Sequence, residues 1–484
     1  MISSLWKFVI FFSSNLLPYI TIFLLSLFMP GDTDLGWHLR YGEFFFKTGK
    51  IVRENIFSLE MPGYKWVNSS WLTDLITYPV YNTGSFLGLS ILGAITVVLT
   101  FYIFSKVLKL SFWEKAFIFP VLYFLEYPLI KISFRGQLIS LLFTAIIIYL
   151  LSQYRRGKTK TVFFLVPLFL LWANLHGGFL LGLIICLMYF TIRQIKNFTA
   201  KKGFADKNLA AAIFISIPAT LINPWGIGIY SEIIRHFGNP YQKYIVEWIP
   251  LSPFSDLWWV LIFWGIFIII NVSLIVDREK FSHVSEWVFI TVIMYFLSHW
   301  MRRYAWTMYP VSLPVAGFLF KDIKPDRRKS VLRFLPYLIF IIIYFAAVKI
   351  HIPGQKLTKM NWSRFCNEFI KCSPESAEFL LNNKPPGKFL SFYNWGGYLI
   401  WNYPEIVPSV DGRMHLWQDK TGYSAFSKYY LLEQDIRNID NSDYDTVYIS
   451  TEKPLYRRLT TLSDRGQWTR VYEDESAAVF TRNK

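Results

Sequence analysis

Ionisable side chains are almost missing from the long apolar stretches of this chain. Charged residues make up only 17% of it, against 53% hydrophobic and 19% aromatic residues. A proton- or ion-coupled transporter is expected to carry charges at the bilayer midplane on broken helices in repeated halves, and that pattern is absent here. No internal repeat, low-complexity tract or heptad run is visible either. Cysteine is scarce and says little: Cys186 lies inside an apolar run, where packing explains it. Cys366 and Cys372 can pair in an oxidising compartment or remain thiols, because spacing does not fix connectivity. The first apolar run, Phe8 to Met29, lacks a small-residue cleavage site and reads as a retained anchor.

What is there is hydrocarbon-compatible length. Apolar runs near 8–29, 86–104, 116–130, 137–152, 161–173, 178–192, 208–222, 257–276, 287–300, 304–320 and 332–350 predict about 11 transmembrane helices. The expected class is an α-helical polytopic membrane protein with its N-terminus inside and its C-terminus outside. With that orientation about 21 basic residues fall on the inner side, among them Lys106, Lys109 and Lys115, against about 11 in the outer loops. Only about seven acids share the inner side, so orientation nearly accounts for the formal net charge of +17 and no nucleic-acid partner is implied. The composition divides the chain into a membrane domain, 1–350, and a soluble extracytoplasmic α/β domain, 351–484. Ser373-Pro374-Glu375 predicts a helix start. Strands are expected at Lys388–Tyr393, Thr446–Ser450, Arg470–Tyr472 and Ala477–Thr481, with helices near 421–432 and 453–462 between them.

The polar residues gather at the outer ends. In the first outer loop, 30–85, Asp34 and His38 stand four apart, one turn above each other on a helix. Asp32 is better placed to cap that helix. Arg135, Arg302 and Arg303 reach the same interface from separated parts of the chain, as a clamp for a lipid-linked phosphate requires. Asn174 and His176 sit on an outer turn where Gly177 and Gly178 permit close backbone approach. Each residue also has a plainer use: the arginines can snorkel, His176 can make a structural hydrogen bond, and Trp71 is ordinary at an interface.

Several stretches carry a resemblance. They are Gly31-Asp32-Thr33-Asp34-Leu35-Gly36-Trp37-His38-Leu39, Arg135-Gly136-Gln137, Trp172 to Gly178 (WANLHGG) and Asn223-Pro224-Trp225-Gly226. The outer domain adds Asn394 to Trp401 (NWGGYLIW) and Val410-Asp411-Gly412-Arg413. In these the chain resembles the GT-C superfamily of polytopic glycosyltransferases, most closely the bacterial protein mannosyltransferases and lipid A aminoarabinose transferases. The resemblance implies an inverting transferase at the outer face of the cytoplasmic membrane, within the cell envelope. Its donor would be a polyprenyl-phosphate-linked sugar, and its acceptor a glycan, lipid or protein. Asp34, or else Asp32, would be the catalytic base or ligate a divalent cation such as Mg or Mn. His38 would assist, and Arg135, Asn174, His176, Arg302, Arg303 and Trp71 would bind substrate. Ser69-Ser70 stands where related sequences have an acid or His before the tryptophan. A lipid-linked-sugar flippase or exporter, and a non-catalytic scaffold that displays the outer domain, fit the same composition.

The charge alternation makes a checkable prediction about topology. A C-terminal alkaline phosphatase fusion, active only outside the cytoplasm, should be active, and a C-terminal fluorescent fusion that matures only in the cytoplasm should stay dark. The reverse pair of results refutes the orientation.

Overall fold

A computed structural model describes residues 15–236, 243–245, 247–274, 278–322, 338–343 and 359–483. The chain is mostly helical, about 66%, with one small sheet near its C-terminus. Among the described residues, Trp71–Leu108, Gly136–Arg155, Phe179–Thr199 and Asp256–Ser273 are long and apolar enough to cross a membrane. Asn15–Leu25, Thr159–Leu175, Lys207–Ala219 and Val284–Trp300 are shorter apolar helices. The expected runs near 116–130 and 304–320 lie in the helices Phe112–Ile130 and Ala305–Asp322. The first of these carries Glu114, Lys115 and Glu126, which dilute its hydropathy. The expected spans near 8–29 and 332–350 fall largely outside the described residues.

Trp71–Leu108 would be about 57 Å long if continuous, roughly twice the hydrocarbon thickness. It is broken at Ser85, where φ is +51°. The apolar stretch expected from 86 onward therefore begins at the break, and the turns before it belong with the outer segment.

The chain forms two compact units. One comprises Met1–Met29, Leu89–Ile229 and Lys243–Gln355; the other comprises Pro30–Gly88, Tyr230–Gln242 and Lys356–Lys484. A boundary placed at 350 by composition thus differs from the spatial grouping, in which the first outer segment folds together with the C-terminal region.

In the first unit, apolar helices pack through small and aromatic residues. A methyl group at Gly182 would lie 2.4 Å from the Trp172 ring. Charges mark the helix ends: Glu286, 1% exposed, accepts from Arg155 at 2.6 Å and from Lys196 at 3.0 Å. Asp206 accepts from Arg193 at 2.7 Å and from the Tyr154 hydroxyl at 2.8 Å.

The second unit holds the sheet. Strands β1 (Phe389–Ser391), β2 (Thr446–Ser450), β3 (Trp468–Glu473) and β4 (Ala477–Arg482) lie in the order β1-β2-β4-β3. β1 and β2 are parallel, and the other two pairings are antiparallel. β2 is buried at every position, as a central strand covered on both faces should be. Helices Pro374–Asn383, Ala425–Glu433 and Pro454–Asp464 occupy the expected places. Ser373 caps the first by accepting from the Ser376 amide at 3.0 Å. Cys366 and Cys372 are joined by a disulfide.

The outer segment meets this region through its own helix, Leu35–Thr48, which crosses the helix Gly396–Asn402. A Cβ at Gly36 would fall 1.8 Å from the Gly397 carbonyl oxygen, and one at Gly397 2.4 Å from the Thr33 carbonyl oxygen. Only glycine permits backbones this close. Arg40 then donates to the Ile400 and Trp401 carbonyls, both at 3.1 Å, and lies over the Trp401 ring. Those carbonyls end a short helix and would otherwise lack partners.

Gly36→Ala should therefore destabilise the second unit by about 1–3 kcal/mol, the usual cost of overpacking. Gly84→Ala, with no atom within 4 Å of the added methyl, should have little effect. Thermal unfolding of the two purified variants makes the comparison; equal melting temperatures would refute the tight crossing.

Candidate functional site

The second unit organises the first outer segment around two turns. Asp32 is buried, and its Oδ1 accepts from the Asp34 amide at 3.0 Å. That fixes the turn from which the helix Leu35–Thr48 starts, but the N-cap position expected of Asp32 is not its own. Asp34 occupies the N-cap position without making a side-chain cap bond. Its carboxylate lies instead against Gly412, where a Cβ would come within 1.7 Å of Oδ1. The segment Val410 to Arg413 thereby seats the residue expected to be the base.

His38 is not oriented by Asp34. Its Nδ1 lies 2.5 Å from Asp74 Oδ1, and Asp74 is fully buried. Asn68 donates to the other Asp74 oxygen at 2.6 Å, and the Trp37 ring stacks on the imidazole at 3.6 Å. With Asp74 accepting from Nδ1, Nε2 is the nitrogen that gains or loses the exchangeable proton. Burial alone would lower the His38 pKa, but Asp74 overrides it and Asp32 and Asp34 add to the field, so the pKa is raised. The sequence separation of 36 hides this partnership. Asp74 was visible only as an acid in the first turn of the next helix.

Below the same cluster, Arg413 and Asp411 form an ion pair with no exposed surface, 2.7 Å apart. Arg413 also donates to Asn55 at 3.1 Å and Ser58 at 3.2 Å, and the Ser58 hydroxyl donates to Asp411. Burial pushes the Asp411 carboxyl up, but Arg413 and Ser58 hold it below the ordinary carboxylate range. Trp71 sits half-buried at the start of the helix that carries Asp74. Ser69 and Ser70 form the turn before it, with the Ser70 amide bonded to Asn68 Oδ1 at 2.9 Å.

The first unit gathers a second set. His176 follows the helix Leu165–Leu175, and its Nδ1 lies 2.7 Å from Ser140 Oγ. Trp172 Nε1 donates to that hydroxyl at 2.8 Å, so Ser140 donates its own proton onward to His176. The Gly178 amide also points at Nδ1, at 3.2 Å, and the proton of the neutral ring is on Nε2. Burial, then Arg303, then Arg135 push the His176 pKa down to about 3. Two arginines from distant parts of the chain thus act on one neutral imidazole. Gly178 permits the turn, since a Cβ there would lie 2.5 Å from Ser140 Oγ.

A cavity of about 80 Å³ opens beside His176, with Gln137, Glu247, Arg303 and Trp306 among its walls. Arg303 is set by its amide bond to the Glu247 carbonyl, 3.2 Å, and its guanidinium lies 5.1 Å from the Trp248 ring. Two expected residues face elsewhere. Asn174 donates to the Leu170 and Ile222 carbonyls at 2.8 and 2.9 Å, tying two helix ends together, and does not line the cavity. Arg302 does not line it either, and its Nε is buried. Ser140 had no signal in the sequence, because it lies in no recognisable pattern. Among the described residues, no three His, Cys, Asp or Glu side chains are gathered to hold a metal ion.

No protein-family model matches this chain, and no curated protein matches it at a significant level.

The raised His38 pKa gives stability a definite pH dependence. A group whose folded pKa lies above its unfolded value contributes fully below about pH 6.5 and loses that contribution as pH rises through the folded value. The melting temperature of the purified protein should therefore fall across that window. Asp74→Asn should remove this fall or reverse its sign, because a buried imidazole without its carboxylate favours the neutral form. A wild-type profile that matches the variant's would refute the pairing.

Proposed function

We propose that this protein is an inverting glycosyltransferase of the outer face of the cytoplasmic membrane, with a polyprenyl-phosphate-linked sugar as donor. The proposal includes about 11 spans, an inside N-terminus and an outside C-terminus. The observation that carries it is a cavity of about 80 Å³ lined by the buried His176 and by Arg303, with Arg135 adding to the positive field on that imidazole. A leaving phosphate needs no general acid; it needs fixed cations where charge develops, in a site that excludes water. A neutral His176 with its proton on Nε2 adds a hydrogen-bond donor to that set without adding charge.

The base is assigned to Asp34. A carboxylate at the start of a helix is kept ionised by the N-terminal dipole, and Asp34 is held there while Asp32 makes the turn. It takes the proton of the acceptor hydroxyl as the oxygen attacks the anomeric carbon and the bond to the phosphate oxygen breaks. His38, fixed by Asp74, helps position the acidic cluster. The acceptor class is a glycan, lipid or protein hydroxyl, and Trp71 is the aromatic platform assigned to it.

A lipid-linked-sugar exporter remains the second reading, because Glu126 is buried in its helix with neither oxygen hydrogen-bonded among the described residues. Turnover separates the two. Purified protein in liposomes with a radiolabelled polyprenyl-phosphate sugar should release polyprenyl phosphate; movement of intact donor without cleavage is the exporter's result.

Asp34→Asn should lower transfer by about 10²–10⁴-fold while leaving membrane insertion intact. Asp32→Asn should act mainly through stability, at about 1 kcal/mol. Arg303→Lys should weaken donor binding because a point charge does not replace a planar fork. Turnover by Asp34→Asn within a few-fold of wild type would remove Asp34 from the mechanism.

A further inference from the structure

A second groove in the first unit has nothing to do with His176. It runs between the helix Asn15–Leu25 and the second half of Trp71–Leu108, with a volume of about 780 Å³, inside the range of small-ligand sites. Its long walls are aliphatic, from Leu16, Val98 and Leu99. One end is cationic, where Lys106, Lys109 and Lys115 converge. Lysines at a cytoplasmic helix end are expected from orientation alone, but that bias asks only for exposed charge. Lys115 departs from it: the residue is 8% exposed and is set into the wall, with its ammonium 4.9 Å from the Tyr19 ring centroid. Lys106 lies 5.1 Å from the Tyr102 ring. Tyr19 in turn is pinned by a 2.8 Å bond between its hydroxyl and Ser105 Oγ. Two aromatic rings thus hold two ammonium groups at the mouth of an apolar channel. Among the described residues, none of the three lysines is paired with a carboxylate.

We infer that this groove seats an anionic glycerophospholipid of the cytoplasmic leaflet, its phosphodiester among Lys106, Lys109 and Lys115 and an acyl chain along Leu16, Val98 and Leu99. Both halves of such a molecule are matched: a compact negative charge by three ammonium donors, and a methylene chain by an aliphatic wall. Basic pockets between membrane helices on the cytoplasmic side take anionic headgroups by this chemistry. A soluble phosphate would satisfy only the lysines and leave the apolar walls uncovered. The assignment of leaflet rests on the charge alternation, whereas binding itself does not.

The test uses the purified, delipidated full chain and native mass spectrometry with phosphatidylglycerol, with phosphatidylcholine as the zwitterionic control. Phosphatidylglycerol should bind at one site in preference to phosphatidylcholine, should raise the melting temperature, and should not be displaced by millimolar inorganic phosphate. The Lys106→Gln/Lys109→Gln variant, which changes only exposed side chains, should bind it about 10- to 30-fold more weakly. Lys115→Gln should do likewise, with unfolding monitored separately. Equal binding of phosphatidylcholine, displacement by phosphate, or full affinity in a folded double variant would each overturn the assignment. None of these outcomes bears on sugar transfer.

Discussion

Two glycines facing each other set the geometry of the second unit. Gly36 and Gly397 bring the outer-segment helix against the short helix of the C-terminal region at backbone distance. Every other bond between the two segments depends on that spacing. Arg40 reaches the Ile400 and Trp401 carbonyls only from there. Asp34 lies on Gly412 because the chain before Gly36 is drawn in with it. Further along, Leu59 and Glu60 bond by their amides to the Pro408 and Ser409 carbonyls at 2.9 and 3.0 Å. The Tyr444 hydroxyl donates to Glu60 at 2.8 Å. The candidate base is thus held by a rigid partner on a different part of the chain, as a preorganised site needs.

Electrostatics divides the polar residues into two kinds. Asp411 and Arg413 are dehydrated completely and paired with each other, and their further bonds to Asn55 and Ser58 fix one arrangement of that loop. His38 and His176 are both buried yet respond in opposite senses. Asp74 makes protonation favourable at the first, while burial and then two arginines make it unfavourable at the second. One imidazole is therefore suited to carrying a proton and the other to remaining a neutral donor.

Much of this was legible in the chain itself, for reasons that are local. The four strands and their intervening helices follow from β-branched runs, turn residues and the Ser373-Pro374 start signal. Asp32 was expected as the cap of the first helix and instead makes the turn before it, one step away along the chain. The partners of the polar residues were not legible. His38 finds Asp74 rather than Asp34 because the helix turns its imidazole toward the next segment, and helical spacing says only what lies one turn away. Asn174 illustrates the converse: a polar residue at a helix end has unsatisfied carbonyls nearby, and Asn174 answers them. The grouping of Pro30–Gly88 with Lys356–Lys484 was hidden by composition, which changes at about 350 but records nothing of who packs against whom.

That grouping has a temporal side. The halves of the second unit are separated by roughly 270 residues of sequence. At typical synthesis rates, about 5–20 residues per second, the outer segment waits on the order of 10–60 s for the helix that carries Gly397 to be made. During that interval Gly36 has no opposing backbone, and Trp37, Leu39 and Tyr41, all buried at the end, lack the cover they will have. The apolar membrane helices are inserted meanwhile, because they need no distant partner. Assembly of this unit therefore waits for the C-terminal region, and whatever chemistry depends on Asp34 stays off until the final quarter has been translated.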